Sequence, residues 1–370
     1  MHVTLPARKM KYNRKKKKKI GVMIMWKYVL KRIGLALMTS CIILSLTFIL
    51  IKCLPFERPV GLIQQQFSYY EDQVHQGFVL RFNFPQSGYG DLLFKYQLPS
   101  TNTTYHYYLK PIMAQYTQWL GNILTKWDWG TSSHIQINVS ASAIIANQLP
   151  YTVKVNIFAT LISVPLGILL GIVAALNKNK PIDHFLSTAV MIMTSIPSFV
   201  LIAFLMLLLC YNNHILPTQW PADSAPMQER VLGYILPVCC LSFGSIAGYC
   251  RFVRAELCEV MSSEYLLLAR TKGLTKQQAI LRHALRNAMV PIVPSILAEV
   301  IGLLGGSMIL ESLYGIPGIG RLYTLALTAK DYNVLFVDMA GFTTISLLAG
   351  VILDISYGVI APRIRMRAKK

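Results

Sequence analysis

LLLARTKGLTKQQAILRHALRNAMVP, residues 266–291, interrupts a chain otherwise written in long apolar runs. Its wording is that of two short helices meeting at a glycine. Ser262 or Ser263 offers an N-cap, and Glu264 then falls in the first turn, where a negative charge suits the helix dipole. EYLLLARTK continues as helix until Gly273, which follows Arg270 and Lys272 in the usual order of cations and then a left-handed glycine. Thr275 opens the second helix with Gln278 three residues on, a capping box, and QQAILRHAL carries it forward. One face is apolar and the other basic. Two readings suit such a projection: a fixed shape that docks into a groove on a partner, or an amphipathic loop lying on lipid.

The surroundings of this stretch are those of a membrane protein. The 370 residues are 54% hydrophobic and only 14% charged, with a mean hydropathy of +0.46, whereas soluble domains carry roughly 25% charged residues. A bilayer core asks for about 20 apolar residues of helix, and the stretches 33–51, 155–176, 185–211, 231–250, 288–310 and 334–360 meet that demand. Much of the net charge of +20 sits at the ends, in Arg8, Lys9, Lys11, Arg14 and the lysine run 15–19, and in Arg363, Arg365, Arg367, Lys369 and Lys370. Basic ends flanking apolar spans anchor on anionic lipid at the cytoplasmic face. Nucleic acid is not expected as a partner, because no aromatic-interleaved basic surface accompanies the charge.

Lysine and arginine in the short loops set the orientation. Lys27, Lys31 and Arg32 precede the first span, Lys178 and Lys180 lie between the second and third, and Arg251, Arg254, Arg270, Lys272, Lys276, Arg282 and Arg286 lie between the fourth and fifth. All fall on one side, so both termini and residues 266–291 are cytoplasmic. The expected architecture is an all-α polytopic membrane protein of six transmembrane helices, N-in and C-in. Its parts are a basic, disordered tail (1–24), a first helix (25–51), an extracytoplasmic insert (52–150), a five-helix core (151–360) holding the loop 256–287, and a basic tail (361–370). The insert is rich in Tyr, Gln, Asn and Thr and reads as a small aromatic-rich domain of unassigned fold.

Chemistry of other kinds is missing from the sequence. There is no GxxxxGK[ST] phosphate loop, no HExxH and no GxSxG, and the histidines are scattered. The seven cysteines show no metal-site spacing and read as small apolar residues of membrane helices. Hence no catalytic residue, metal site or bound cofactor is expected. Among ionisable residues near the last two spans, Glu311 and Asp354 lie close to span ends, where a structural role weighs at least as much as lining a pathway. Glu299 and Asp338 lie deeper and are candidates for lining a translocation path, or for pairing at a helix interface.

The loop resembles the coupling loop of ABC importer membrane subunits, E-A-A, three residues, G, nine residues, I-x-L-P. Anchored on Gly273, the second Ala, the Gly and the Leu are matched by Ala269, Gly273 and Leu285, while Leu267, Leu268, His283 and Arg286 stand at the Glu, first Ala, Ile and Pro positions. EYLLLARTKGL followed by RHALRNAMVPIV is closer to the wording of the peptide/nickel permease family. So are WKYVLKRIGLAL, DWGTSS, VPLGILLGIVAAL, TSIPSFVLIAFLMLLL, GGSMILESLYGIPGIGRL, KDYNV and LDISYGVIAPRIR, in order along nearly the whole chain from Met25, with Ala361 in place of a usual Asp. The resemblance is to the oligopeptide or dipeptide permease subunit with a large outer insert. It implies a non-enzymatic subunit of an ATP-driven importer, paired with a second permease subunit, two cytoplasmic ABC ATPase subunits that hydrolyse the ATP, and an extracytoplasmic peptide-binding lipoprotein. It implies a multi-pass location in the plasma membrane of a bacterium, of Gram-positive type. Nickel import, or uptake of signalling peptides, is the alternative. The residues it implies at the ATPase contact are Glu264, Ala269, Arg270, Lys272, Gly273, Leu274, Arg282, His283, Leu285, Arg286 and Asn287.

Overall fold

A computed structural model describes residues 7–53, 59, 62–86, 88, 92–99, 102–302 and 305–360, with side chains from residue 29 onward except at 276, 281 and 357–360. The C-terminal basic tail lies outside the described residues. Five helices among these are long and apolar enough to cross a membrane, or six if one sharply bent pair counts as a single span.

The first helix, α1 (Ala7–Lys52), starts well before the expected boundary at residue 25 and takes in the basic run that was expected to be a tail. Lys, Arg and Met are good helix formers, and neither Gly nor Pro breaks the stretch 7–20. Its apolar part is Val29–Lys52.

The insert is not helical throughout. It contains α2 (Ile63–His75), strands β1 (Val79–Phe82), β2 (Leu92–Gln97) and β3 (Thr104–Leu109), and α3 (Ile112–Lys126). The strands form an antiparallel sheet in the order β1-β3-β2. Tyr70, Val79, Tyr96 and Tyr107 make its core, with the Tyr70 ring stacked on Phe94. The all-α expectation therefore describes the spans and not the insert. A second aromatic cluster fastens the insert to the spans: Phe48 of α1 meets Phe78, Tyr116, Trp119 and Phe336.

The second membrane helix, α4 (Ala141–Leu176), begins four turns before the expected 155. It lies against α7 (Met227–Met261), and small residues permit the approach. Ser163, Gly167, Gly171 and Ala175 recur every fourth position on one face, and a Cβ on Gly167 would stand 2.5 Å from Tyr249 Cβ. Between them, the expected third span 185–211 is broken. It consists of α5 (Pro181–Ser195) and α6 (Ser198–Leu205), which continues as a π-helical turn, Met206–Asn212, and the two halves are bent by 90°. Pro197 causes this: the residue before a proline is pushed out of the helical region, and Ile196 sits at φ −92°, ψ 115°.

After α7 come α8 (Glu264–Thr271), α9 (Lys276–Ala279), a π turn at Ile280–Ala284, and α10 (Leu285–Gly302). The described part of the fifth span reaches Gly302, and the expected end at 310 falls in a separate short helix. Gly305 and Gly306 follow, the latter at φ +72°, and a short helix α11 (Met308–Tyr314) turns away. Then come α12 (Ile319–Thr328) and α13 (Tyr332–Ile360).

The segments that charge assigns to the outside meet at one end of the bundle. Asp331 Oδ2 accepts hydrogen bonds from Ser132 Oγ and from the backbone N–H groups of Ser133, His134 and Ile135, tying the end of the insert to the start of α13. The Trp220 N–H donates to the Tyr314 carbonyl at 2.8 Å. The segments assigned to the inside meet at the other end. Arg32 pairs with Asp354 at 3.1 Å, joining α1 to α13. Arg254 of α7 grips the buried Asp183 of α5 with two bonds, at 2.5 and 2.8 Å.

Candidate functional site

The projection between the fourth and fifth spans is built on a buried apolar seam. Leu257 of α7, Leu266 of α8, Ala279 of α9, Ile280 and Ala284 of the π turn, Ala288 of α10 and Ala175 at the end of α4 form one cluster. Leu274, beside the hinge, leans on it half-buried. The polar residues expected at a contact all face outward: Glu264, Arg270, Lys272, Arg282, His283, Arg286 and Asn287 are exposed, whereas Ala269 and Leu285 are half-buried. Four cations and one carboxylate thus share a surface with the exposed apolar side chains Tyr265, Leu267 and Leu268 of α8.

Gly273 sits at φ +92° between α8 and α9, the left-handed turn that its place after Arg270 and Lys272 predicts. The capping box at Thr275 is formed on both sides. The Gln278 N–H donates to Thr275 Oγ1 at 3.3 Å, and the Thr275 N–H donates to Gln278 Oε1 at 3.2 Å. Gln278→Ala is expected to cost about 1 kcal/mol locally, seen as faster amide exchange over 276–280 with the rest of the chain unchanged. Ser263 is the N-cap residue of α8, but its hydroxyl turns back to the Val260 carbonyl at 2.5 Å and closes the end of α7 instead. The second helix is also not a separate piece ending before the fifth span. From Gln277 to Gly302 it is one helix, eased by the π turn, because no glycine interrupts it and Pro291 is its first proline.

Glu299 and Asp338 are placed differently from one another. Ser245 Oγ of α7 donates to Glu299 Oε1 at 2.6 Å, so this half-buried carboxylate pairs at the α7–α10 interface. Asp338 is 2% exposed, and its Oδ2 has no hydrogen-bond partner among the described residues.

Glu311, whose position near a span end leaves a structural role and a path-lining role both open, is the centre of a buried network at the outer end. Its Oε1 accepts from Thr152 Oγ1 of α4 at 3.0 Å and from the Ser307 N–H at 3.3 Å. Its Oε2 accepts from the Arg321 N–H at 3.1 Å, at the N-terminus of α12, where the helix dipole favours a negative charge. Thr152 Oγ1 in turn accepts the Ile319 N–H at 3.0 Å. The wording GGSMILESLYGIPGIGRL therefore codes a loop folded around one carboxylate. The sequence offered Glu311 but not Thr152, which is distant along the chain.

These features define a polytopic membrane subunit with a capped, basic, exposed projection between its fourth and fifth spans. The chain belongs to the family of binding-protein-dependent transport system inner membrane components, whose model matches residues 167–366, from within α4 through the α8–α9 projection and the Glu311 loop. It is 31% identical over 346 residues to the dipeptide transport system permease protein DppB of Lactococcus lactis subsp. cremoris, covering 92% of this chain and 100% of that protein. It is 27% identical to the DppB of Bacillus subtilis, covering 93% of this chain and 100% of that protein. To the oligopeptide transport system permease protein OppB of Haemophilus influenzae it is 33% identical, over 69% of this chain and 81% of that protein. Among solved structures it is similar to an amino acid ABC transporter, at 19% identity and a TM-score of 0.46, over 58% of this chain and 94% of that one.

Proposed function

We propose that this chain is the permease subunit of an ATP-driven importer of dipeptides or oligopeptides, working beside a second permease subunit, two cytoplasmic ATPase subunits and an extracytoplasmic peptide-binding lipoprotein. The peptide substrate is supported by the relatives, which are dipeptide and oligopeptide transport permeases by name. The coupling role is carried by one observation: the docking surface is exposed and basic, yet its apolar side is buried on α4, α7 and α10. A push on α8 would reach the spans without first bending the surface itself. Glu264, Arg270, Lys272, Arg282, His283, Arg286 and Asn287 meet the ATPase subunit, while Ala269, Leu274 and Leu285 hold the surface in shape. ATP is bound and hydrolysed by the partners.

The test is co-purification followed by reconstitution. The tagged chain should bring down a second permease and a pair of ATPases, and proteoliposomes of the complex should accumulate labelled di- or oligopeptide when ATP and the binding protein are supplied. Purification without an ATPase, or ATP-driven uptake of Ni²⁺ in place of peptide, would overturn it.

A further inference from the structure

The outer end of the bundle holds a cavity of about 250 Å³, lined by Tyr151, Lys154, Trp220, Asp223, Arg230 and Tyr234. Its walls come from the outer turns of α4, the loop before α7, and the first two turns of α7. The walls are fixed. Trp220 is held by its backbone N–H to the Tyr314 carbonyl, and its ring meets Tyr234 edge-on at 4.8 Å and Tyr151 at 6.2 Å. Tyr151 donates its hydroxyl to Asp223 at 2.5 Å, and Pro221 fits against Gly233, where any Cβ would strike it. Two cations occupy this frame without a carboxylate partner among the described residues. Lys154 lies 5.9 Å from the Tyr151 ring centroid, and both Lys154 and Arg230 are exposed at the rim.

A concave, aromatic-walled site with a few convergent charges is the usual form of a small-ligand site. Here the charges carry both signs within one cavity, two cations with no carboxylate partner among the described residues and one carboxylate already engaged by a tyrosine. That pattern suits a zwitterion whose negative end is a carboxylate, since an ammonium or guanidinium gives a carboxylate a charge-assisted hydrogen bond. The aromatic walls suit an adjoining apolar side chain. Resting on the peptide reading above, we propose that this cavity is an entry subsite for the terminal carboxylate of the arriving peptide, with Lys154 and Arg230 as its ligands and Trp220 and Tyr234 beside the last side chain.

Proteoliposomes of the complete complex, supplied with saturating peptide-loaded binding protein, test this by comparing one labelled peptide as its free acid and as its C-terminal amide. In the Lys154→Gln/Arg230→Gln variant, uptake of the acid should fall about tenfold, and uptake of the amide should change far less. The charge-preserving Lys154→Arg/Arg230→Lys pair should retain most of the acid uptake. An equal fall for both peptides, as loss of a contact with the binding protein or with a lipid headgroup would produce, overturns the proposal. So does no fall for either. If the wild-type complex accumulates neither peptide, the peptide reading itself fails, a result distinct from the other two.

Discussion

Gly318→Ala should deplete the protein from the membrane fraction, by about tenfold. The Cβ it adds would come into hard contact with Glu311 Oε2 and Thr152 Oγ1, and would stand 2.7 Å from Glu311 Cδ. Neither side chain has room to yield, since Thr152 is fully buried and Glu311 is 3% exposed. Moving the carboxylate would also strand its donors, the Thr152 hydroxyl and the N–H groups of Ser307 and Arg321. Overpacking costs about 1–3 kcal/mol, and each buried group left unpaired costs about 1–3 kcal/mol more. Their sum approaches the whole stability of many domains, about 5–15 kcal/mol. Gly244→Ala is the control: nothing lies within 4 Å of a Cβ there, so that variant should accumulate normally. Quantitative immunoblots of membranes, with melting of the detergent-solubilised protein, read both. Normal abundance and melting of Gly318→Ala would mean that the Glu311 loop does not hold the outer end together.

Spans were legible because hydropathy is a local property, and their ends were not because ends depend on partners. The outer turns of α4 carry Asn147, Gln148 and Lys154, which do not look like lipid-facing helix, yet the helix begins at Ala141. The break at Ile196 and Pro197 was written in a single dipeptide inside an otherwise unbroken apolar run. The Thr275 capping box was readable since both members lie within one turn. Ser263 takes the N-cap position that the sequence offered, but its hydroxyl had a nearer acceptor in the helix before it and makes no cap bond. At the outer end, Thr152 and Glu311 are 159 residues apart, and Tyr151 and Asp223 are 72 apart. No spacing rule joins such residues; only the packing of α4 against α7 and the α11–α12 loop does. The stripe Ser163, Gly167, Gly171, Ala175 is the contrary case, a long-range contact announced by a local period.

Gly273→Pro should abolish uptake while leaving the assembled ATPases able to hydrolyse ATP. Proline holds φ near −65°, and residue 273 sits at +92°, so the direction in which α8 leaves α9 must change. The substitution also removes the N–H that donates to the Arg270 carbonyl at 3.0 Å. The seam beneath does not depend on this turn, because Leu266, Ala279 and Ile280 are anchored on Leu257 and Ala175. The chain should therefore fold and reach the membrane with its docking surface misaimed. Gly273→Ala separates shape from chemistry. No atom lies within 4 Å of the added Cβ, so only the left-handed strain, about 1–2 kcal/mol, opposes it. The local turn can persist at that cost if the seam holds it, and uptake should fall severalfold, not vanish. Uptake and ATP hydrolysis measured together in proteoliposomes decide the matter. The expected order is wild type, then alanine, then proline at background, with hydrolysis retained in all three. Wild-type uptake by Gly273→Pro would show that force does not pass through the α8–α9 turn. The continuous helix from Gln277 into the fifth span would then have to be driven from residues beyond the hinge, Arg282 and Arg286 foremost.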